Sequence, residues 1–187
     1  MSLVRIRKTG CIRGKTVVLR NAVTSDAAFI LSLRTDPQKS KHLSKVSDDL
    51  NEQVAWLVSY ERRETEAYFI IESVDGIPLG TVRIYDALGD SFCWGSWILL
   101  EHAPASTAIE SALVVYAYAI DSLGFQRAHF QVQKGNERVW KFHERFGAER
   151  VAENEEQYEY VLSNAAIKSS VDRYRRYLPN GIACEDL

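Results

Sequence analysis

Little in this chain of 187 residues points to covalent or metal scaffolding. Its three cysteines, Cys11, Cys93 and Cys184, are odd in number and far apart, which argues against a disulfide framework and against a Cys-based metal site. A reducing, cytoplasmic setting is the expectation. Positive charge is not in excess either: 23 Lys and Arg stand against 25 Asp and Glu, so a duplex-sized nucleic-acid footprint is disfavoured. No run approaches 18 apolar residues, and the opening Met-Ser-Leu-Val-Arg-Ile-Arg-Lys is too short and too charged for a signal peptide, so no membrane association is expected. Repeats and low-complexity tracts are missing. Apolar content is ample: 46% hydrophobic residues at this length suffice for one domain with a sizeable core.

The chain reads as a loose basic arm over residues 1–15, a domain over 16–163, and a helix with a tail over 164–187. Thr16 to Arg20 is short and β-branched, an opening strand, and Thr24-Ser25-Asp26 caps a helix through about Arg34 that Asp36-Pro37 ends. A polar, basic link follows. The next helix, from about Asp49, is expected to turn Leu50, Val54, Leu57 and Tyr60 inward. Tyr68 to Glu72 and Pro78 to Tyr85 are strands joined at Val74-Asp75-Gly76, a hairpin signal because glycine tolerates positive φ. Glu149 to Ala152 and Gln157 to Leu162 read as a closing pair. The C-terminal helix has a weak stripe (Ile167, Val171, Tyr174, Tyr177, Leu178) and is a candidate dimer contact; the last nine residues read as a tail.

Phe92 to Ala148 organises the whole. Phe92 to Leu100 is apolar on both parities, as in a strand covered on both faces. Beyond a proline-containing loop, Ile109, Ala112, Leu113, Tyr116, Ile120 and Leu123 recur at helical spacing up to Gly124. A strand (Arg127 to Gln133) then precedes a helix opened by Gly135-Asn136 and stopped at Gly147, so a parallel unit with a crossover helix is predicted.

In this segment Asn136, Val139, Phe142, His143, Arg145, Gly147 and Ala148 keep the spacing of Asn-x-x-Ala-x-x-Leu-Tyr-x-Lys-x-Gly-Phe, the second motif of the GNAT N-acetyltransferases, and the chain resembles that family. The family's first motif, Gln/Arg-x-x-Gly-x-Gly/Ala, falls on Ala103 to Ala108 and keeps only its last small residue. The resemblance follows the order of elements from about 16 to 163 and is specific between 94 and 148. It implies an α+β fold, a mixed and mostly antiparallel sheet of six or seven strands with helices on both faces. It also implies acetyl-CoA as donor and a primary amine as acceptor. The look of the chain is similar to the branch holding ribosomal-protein N-terminal and amino-sugar acetyltransferases; a nucleotide-linked amino sugar is slightly favoured, a protein N-terminus is the enzyme rival, and a non-catalytic acyl-CoA-binding module is the rival of another class.

The resemblance assigns roles to particular residues. The strand end, Ile98, Leu99 and Leu100, would pair with the pantetheine amides, and the helix N-terminus at Ser106, Thr107, Ala108 and Ile109 would take the pyrophosphate. Free amide groups and the helix dipole favour an anion there even without glycines. Asn136 would bond the cofactor arm or fix its loop. His143 stands in the place of the family's tyrosine, the proton donor to the leaving thiolate; as an imidazolium it needs a neighbour such as Glu144 to raise its pKa. For the base, Glu101 is named from a field that includes His102, Asp86, Asp90 and His42. Arg34, Lys39 and Lys41 would meet an acceptor phosphate, with Tyr85 and Trp94 as walls. No metal is required.

Overall fold

The computed structural model describes residues 4–187. The elements are β1 (Cys11–Arg13), β2 (Val17–Asn21), α1 (Ala27–Thr35), α2 (Leu50–Glu61), β3 (Ala67–Ser73), β4 (Pro78–Leu88), β5 (Ser91–Leu99), α3 (Ser106–Ala117), β6 (Arg127–Gln133), α4 (Glu137–Arg145), β7 (Glu149–Glu153), β8 (Gln157–Ser163), α5 (Asn164–Arg173) and β9 (Ala183–Glu185). The strands form one open sheet in the order β7-β8-β6-β5-β4-β3-β2-β1-β9. All registered pairs are antiparallel except β5 with β6, the parallel unit that the crossover pattern predicts. Gly76, at φ 78, makes the expected turn between β3 and β4.

Side chains alternate across β3 and fix the two layers. Tyr68 and Ile70 meet α1 and α2 through Ala27, Ile30, Leu57 and Tyr60. Ala67, Phe69 and Ile71 face the larger core, which α3, α4 and α5 complete. Leu57 and Tyr60 point inward as expected, but Leu50 and Val54 are exposed. Leu50 belongs to a first turn whose leading three residues are all exposed, and Val54 lies about 60° around the helix from Leu57.

Among the described residues nine strands stand where about six or seven were expected, because segments near both ends join the sheet. Residues 1–3 of the expected arm lie outside the described residues. The rest is not loose: β1 pairs with β2 on one side and with β9 on the other, Cys11 opposite Glu185. The tail therefore supplies an edge strand. A second tie holds this edge to the core. Glu110, on α3 and 1% exposed, accepts from the backbone amides of Lys15, Thr16 and Val17 (2.6, 2.6 and 3.1 Å) and from the Thr16 hydroxyl. Gly14 lets the turn come this close, since a Cβ there would sit 2.8 Å from Glu110 Oε1. At the other end, α5 folds back on its own chain, with Ile167 buried and the Ser170 hydroxyl donating to the Phe146 carbonyl (2.8 Å). Among the described residues no helix is long and apolar enough to cross a membrane.

Candidate active site

Two features of β5 define the site. First, its pairing with β6 stops after Ser91–Arg127 and Phe92–Ala128, so the strands part towards their C-terminal ends. Second, β5 carries a bulge. Thr81 faces Ile98 while Arg83 faces Gly95, which leaves two β5 residues against one on β4, and Ser96 sits at φ 46. The Thr81 hydroxyl holds the Ser96 carbonyl at 2.8 Å. Simple alternation would send Trp94 and Trp97 to opposite faces; the extra residue puts both rings on the α3–α4 side, 5.2 Å apart. Ser96 is thereby turned to the α1–α2 side.

The gap between the strands is filled from α4. His143 lies 4.2 Å from the Phe130 ring on β6 and 5.2 Å from the Trp94 ring on β5. Phe142 meets Trp97 at 4.9 Å, and Trp97 Nε1 donates to the Ser111 hydroxyl on α3 (3.2 Å). This aromatic wedge corrects two expectations. Trp94 does not line the cavity on the α1–α2 side: strand parity turns it to the α3–α4 side, where its indole N–H donates to the Tyr116 hydroxyl (3.2 Å). His143 is 5% exposed, its Nδ1 has no partner, and burial pulls its pKa from 6.5 down to about 3. The imidazolium required of an acid is thus disfavoured. Glu144, the neighbour meant to raise that pKa, instead accepts from the Tyr160 hydroxyl (2.8 Å) and Arg150 (3.0 Å).

A pH prediction follows from that depressed value. Between pH 6.5 and about 3 the unfolded chain binds a proton at His143 that the folded chain does not, so stability is complete above pH 6.5 and falls as the solution is acidified. The slope is at most about 1.4 kcal/mol per pH unit. Urea unfolding at pH 7, 6 and 5 should show a shallower decline for His143→Phe than for the parent; parallel declines would remove His143 as the cause.

The residues expected to bind the cofactor divide by backbone geometry. Leu100 spends its amide on the Leu79 carbonyl (2.8 Å), and alternation then aims Ile98 at β4 as well, leaving Leu99 directed to the open side. At the start of α3, Thr107 is buried and its amide donates to the Pro104 carbonyl (2.9 Å). Ser106, Ala108 and Ile109 are half-buried, and α3 has no side-chain cap. Asn136 caps α4 through its carbonyl, which receives Val139 and Trp140 (both 3.1 Å); its side chain makes no cap bond.

On the opposite face, a cavity of about 380 Å³ is lined from α1, the α1–α2 link, α2, β3, β4 and β5, and it reaches Ser96. Arg34 and Tyr85 line it, as the sequence suggested. Lys39 and Lys41 do not: Lys39 is paired with Asp36, three residues back, and Lys41 is exposed. Glu101 is exposed in the turn after β5 and also stands apart from the cavity. The sequence reading missed Arg83, which pairs with Glu66 and lies 5.4 and 4.9 Å from the rings of Trp56 and Tyr85. Its signal was present as one charge inside the apolar run Thr81 to Tyr85. Burial raises the pKa of both Tyr68 and Tyr85, so each is a neutral phenol at pH 7. Among the described residues no group of three or more His, Cys, Asp or Glu side chains is placed to hold a metal ion.

A sheet whose central parallel pair splays beside a helix N-terminus, with a charged cavity across the strand, is the architecture of an acyl-transfer enzyme. A family profile described as an acetyltransferase (GNAT) domain matches residues 16–149, and the chain belongs to that family. It is an acetyl-CoA-dependent N-acetyltransferase. Among solved structures it is similar to FdhC, described as a nucleotide-linked sugar GNAT, with 38% identity and a TM-score of 0.80 over 94% of this chain and 99% of that one. Two more distant structures share the fold. A probable GNAT-family acetyltransferase from Chromobacterium violaceum is 16% identical, with a TM-score of 0.75 over 90% and 92% of the two chains. The spermidine N-acetyltransferase SpeG from Vibrio cholerae, in a mutant form, is 13% identical, with a TM-score of 0.70 over 82% and 96%. No curated protein sequence matches the chain.

Proposed function

We propose that this enzyme transfers the acetyl group of acetyl-CoA to the amino group of a nucleotide-linked sugar. The observation that carries the reading is the bulge at Ser96. It makes one strand the border between the splayed β5–β6 gap and the arginine-lined cavity, so an amine held in the cavity meets a thioester lying along the gap. The 38% identity to a nucleotide-linked sugar GNAT over nearly the whole length supports the acceptor class.

In this reading the pantetheine pairs with the β6-facing backbone at Leu99, and the pyrophosphate takes the amides of Ser106, Ala108 and Ile109 at the positive end of α3. Asn136, free of a cap bond, faces the cofactor arm. Backbone amides at the bulge receive the oxyanion as the amine attacks. His143 acts without a charge: a neutral imidazole wedged at the gap offers one N–H to the departing sulfur. Turnover should therefore not fall between pH 6 and 8 in the way that an imidazolium acid of ordinary pKa would impose.

The test is a panel of acceptors with release of free thiol as the signal. A nucleotide-linked amino sugar should be turned over well above the same amino sugar without its nucleotide, above spermidine and above peptides with free N-termini. A peptide preferred over the sugar would replace this reading with protein N-terminal acetylation. Tight acetyl-CoA binding with no turnover of any amine would replace it with acyl-CoA binding alone.

A further inference from the structure

The two arginines of the acceptor cavity do not have the same electrostatic standing. Arg83 is compensated. It pairs with Glu66, which is 3% exposed and also held by Arg63 (2.9 Å), and the guanidinium lies against Trp56 and Tyr85. Arg34 has no carboxylate partner among the described residues. Its Nη2 donates to the carbonyl and hydroxyl oxygens of Ser44 (3.0 Å each), on an exposed stretch of the α1–α2 link, and its Nη1 lies 3.4 Å from the Ser96 hydroxyl. Its Nε is buried and unpaired, as is that of Arg83, so the two differ in the carboxylate and not in this atom.

Next to Arg34 is a second unspent group. Tyr68, 2% exposed, reaches the cavity from β3; Arg34 and Thr81 lie beside its oxygen as donors, and its own O–H has no acceptor. A buried donor left unpaired costs about 1 to 3 kcal/mol, which packing would avoid by placing a phenylalanine there if the hydroxyl had no ligand. Burial holds this phenol neutral and so keeps its proton available for donation. An uncompensated guanidinium and a phenol whose O–H is unspent thus lie side by side in the lining of one cavity. Donors that come from α1 and β3 in different directions suit the tetrahedral oxygens of a phosphoryl group better than a planar carboxylate, which two in-plane donors satisfy.

We propose that Arg34 and Tyr68 form the subsite that reads a phosphoryl oxygen of the acceptor, while Arg83 braces the aromatic wall and takes no direct part. The proposal rests on the acceptor reading given above and adds which groups recognise the acceptor's anion. Binding the anion would exchange the Arg34–Ser44 bonds for charge-assisted ones.

Calorimetry with uridine diphosphate, thymidine diphosphate and inorganic pyrophosphate as probes tests this without turnover. Arg34→Gln should weaken binding of all three by roughly 10- to 100-fold, the range for one hydrogen bond to a charged group, with acetyl-CoA affinity unchanged. Arg34→Lys should recover part of the loss. Tyr68→Phe should weaken them by a smaller factor while leaving the urea midpoint equal or higher, a combination that a purely structural hydroxyl would not give. Parental affinity in Arg34→Gln, or a parent that binds none of the probes, would overturn the subsite. Equally tight binding of a dicarboxylate would overturn its phosphoryl assignment. If the parent binds the probes through Arg34 but acetylates no nucleotide-linked amino sugar, the acceptor reading fails and the subsite stands. If such a sugar is acetylated with an unchanged KM in Arg34→Gln, the reading stands and the subsite fails.

Discussion

A Glu110→Ala protein is expected to unfold at a much lower urea concentration than the parent, having lost about 3 kcal/mol. The carboxylate is 1% exposed and collects three successive backbone amides and a hydroxyl from the β1–β2 turn. Removing it strands the buried Val17 amide outright, and leaves the half-buried amides of Lys15 and Thr16 and the Thr16 hydroxyl with water as their only replacement, at about 1 to 3 kcal/mol for each donor that stays without a partner. Partial relaxation of the turn keeps the total below the simple sum. Glu110→Gln, which retains one accepting oxygen but no charge, should lose about half as much. A midpoint within 1 kcal/mol of the parent for Glu110→Ala would mean that the turn is held by its strand pairing and not by α3.

The second large effect concerns acetyl-CoA. Ser106→Trp should weaken its binding roughly 100-fold or more, about 2.7 kcal/mol, while the fold persists. Ser106 opens α3, is half-buried, and adjoins the amides proposed for the pyrophosphate. An indole there would stand where the phosphate oxygens approach, and a backbone site cannot compensate by changing rotamer. Ser106→Ala, which removes a hydroxyl but keeps the space, should lie within a few-fold of the parent. Equal affinity of Ser106→Trp and parent by calorimetry would move the pyrophosphate away from α3.

The sequence made the central frame readable because its signals are local. β5 is apolar on both parities and is covered on both faces; Val74-Asp75-Gly76 is a turn; the stripe from Ile109 onward is a helix behind a proline loop. What stayed hidden depends on distant partners. β1 and β9 are three residues each, too short for any periodicity, and exist because they pair with one another. The bulge gave no sign because its positive-φ residue is a serine and not a glycine, and with the bulge went the true direction of Trp97. The motif register of Asn136 and His143 was visible, but not that α4 drives His143 between two strands and so keeps it uncharged. In the acceptor region the density of lysines drew attention to Lys39 and Lys41. Which cation stays without an acid depends on Asp36 and Glu66, and only the folded chain shows that pairing.

The strand pair at the sheet edge has a consequence for how the chain folds. Thr9 donates to the Glu185 carbonyl across 176 positions of sequence, and the adjacent β1–β9 ladder spans nearly as many. Closing a loop of that length costs about 2 to 3 kcal/mol more than closing a ten-residue turn, with only a three-residue ladder gained in return. The pairing is therefore among the last contacts to form, once β2, β3 and α3 have built the surface on which it docks. Changes confined to Ala183–Glu185 should accelerate unfolding and leave the refolding rate almost untouched, as for any contact absent from the transition state.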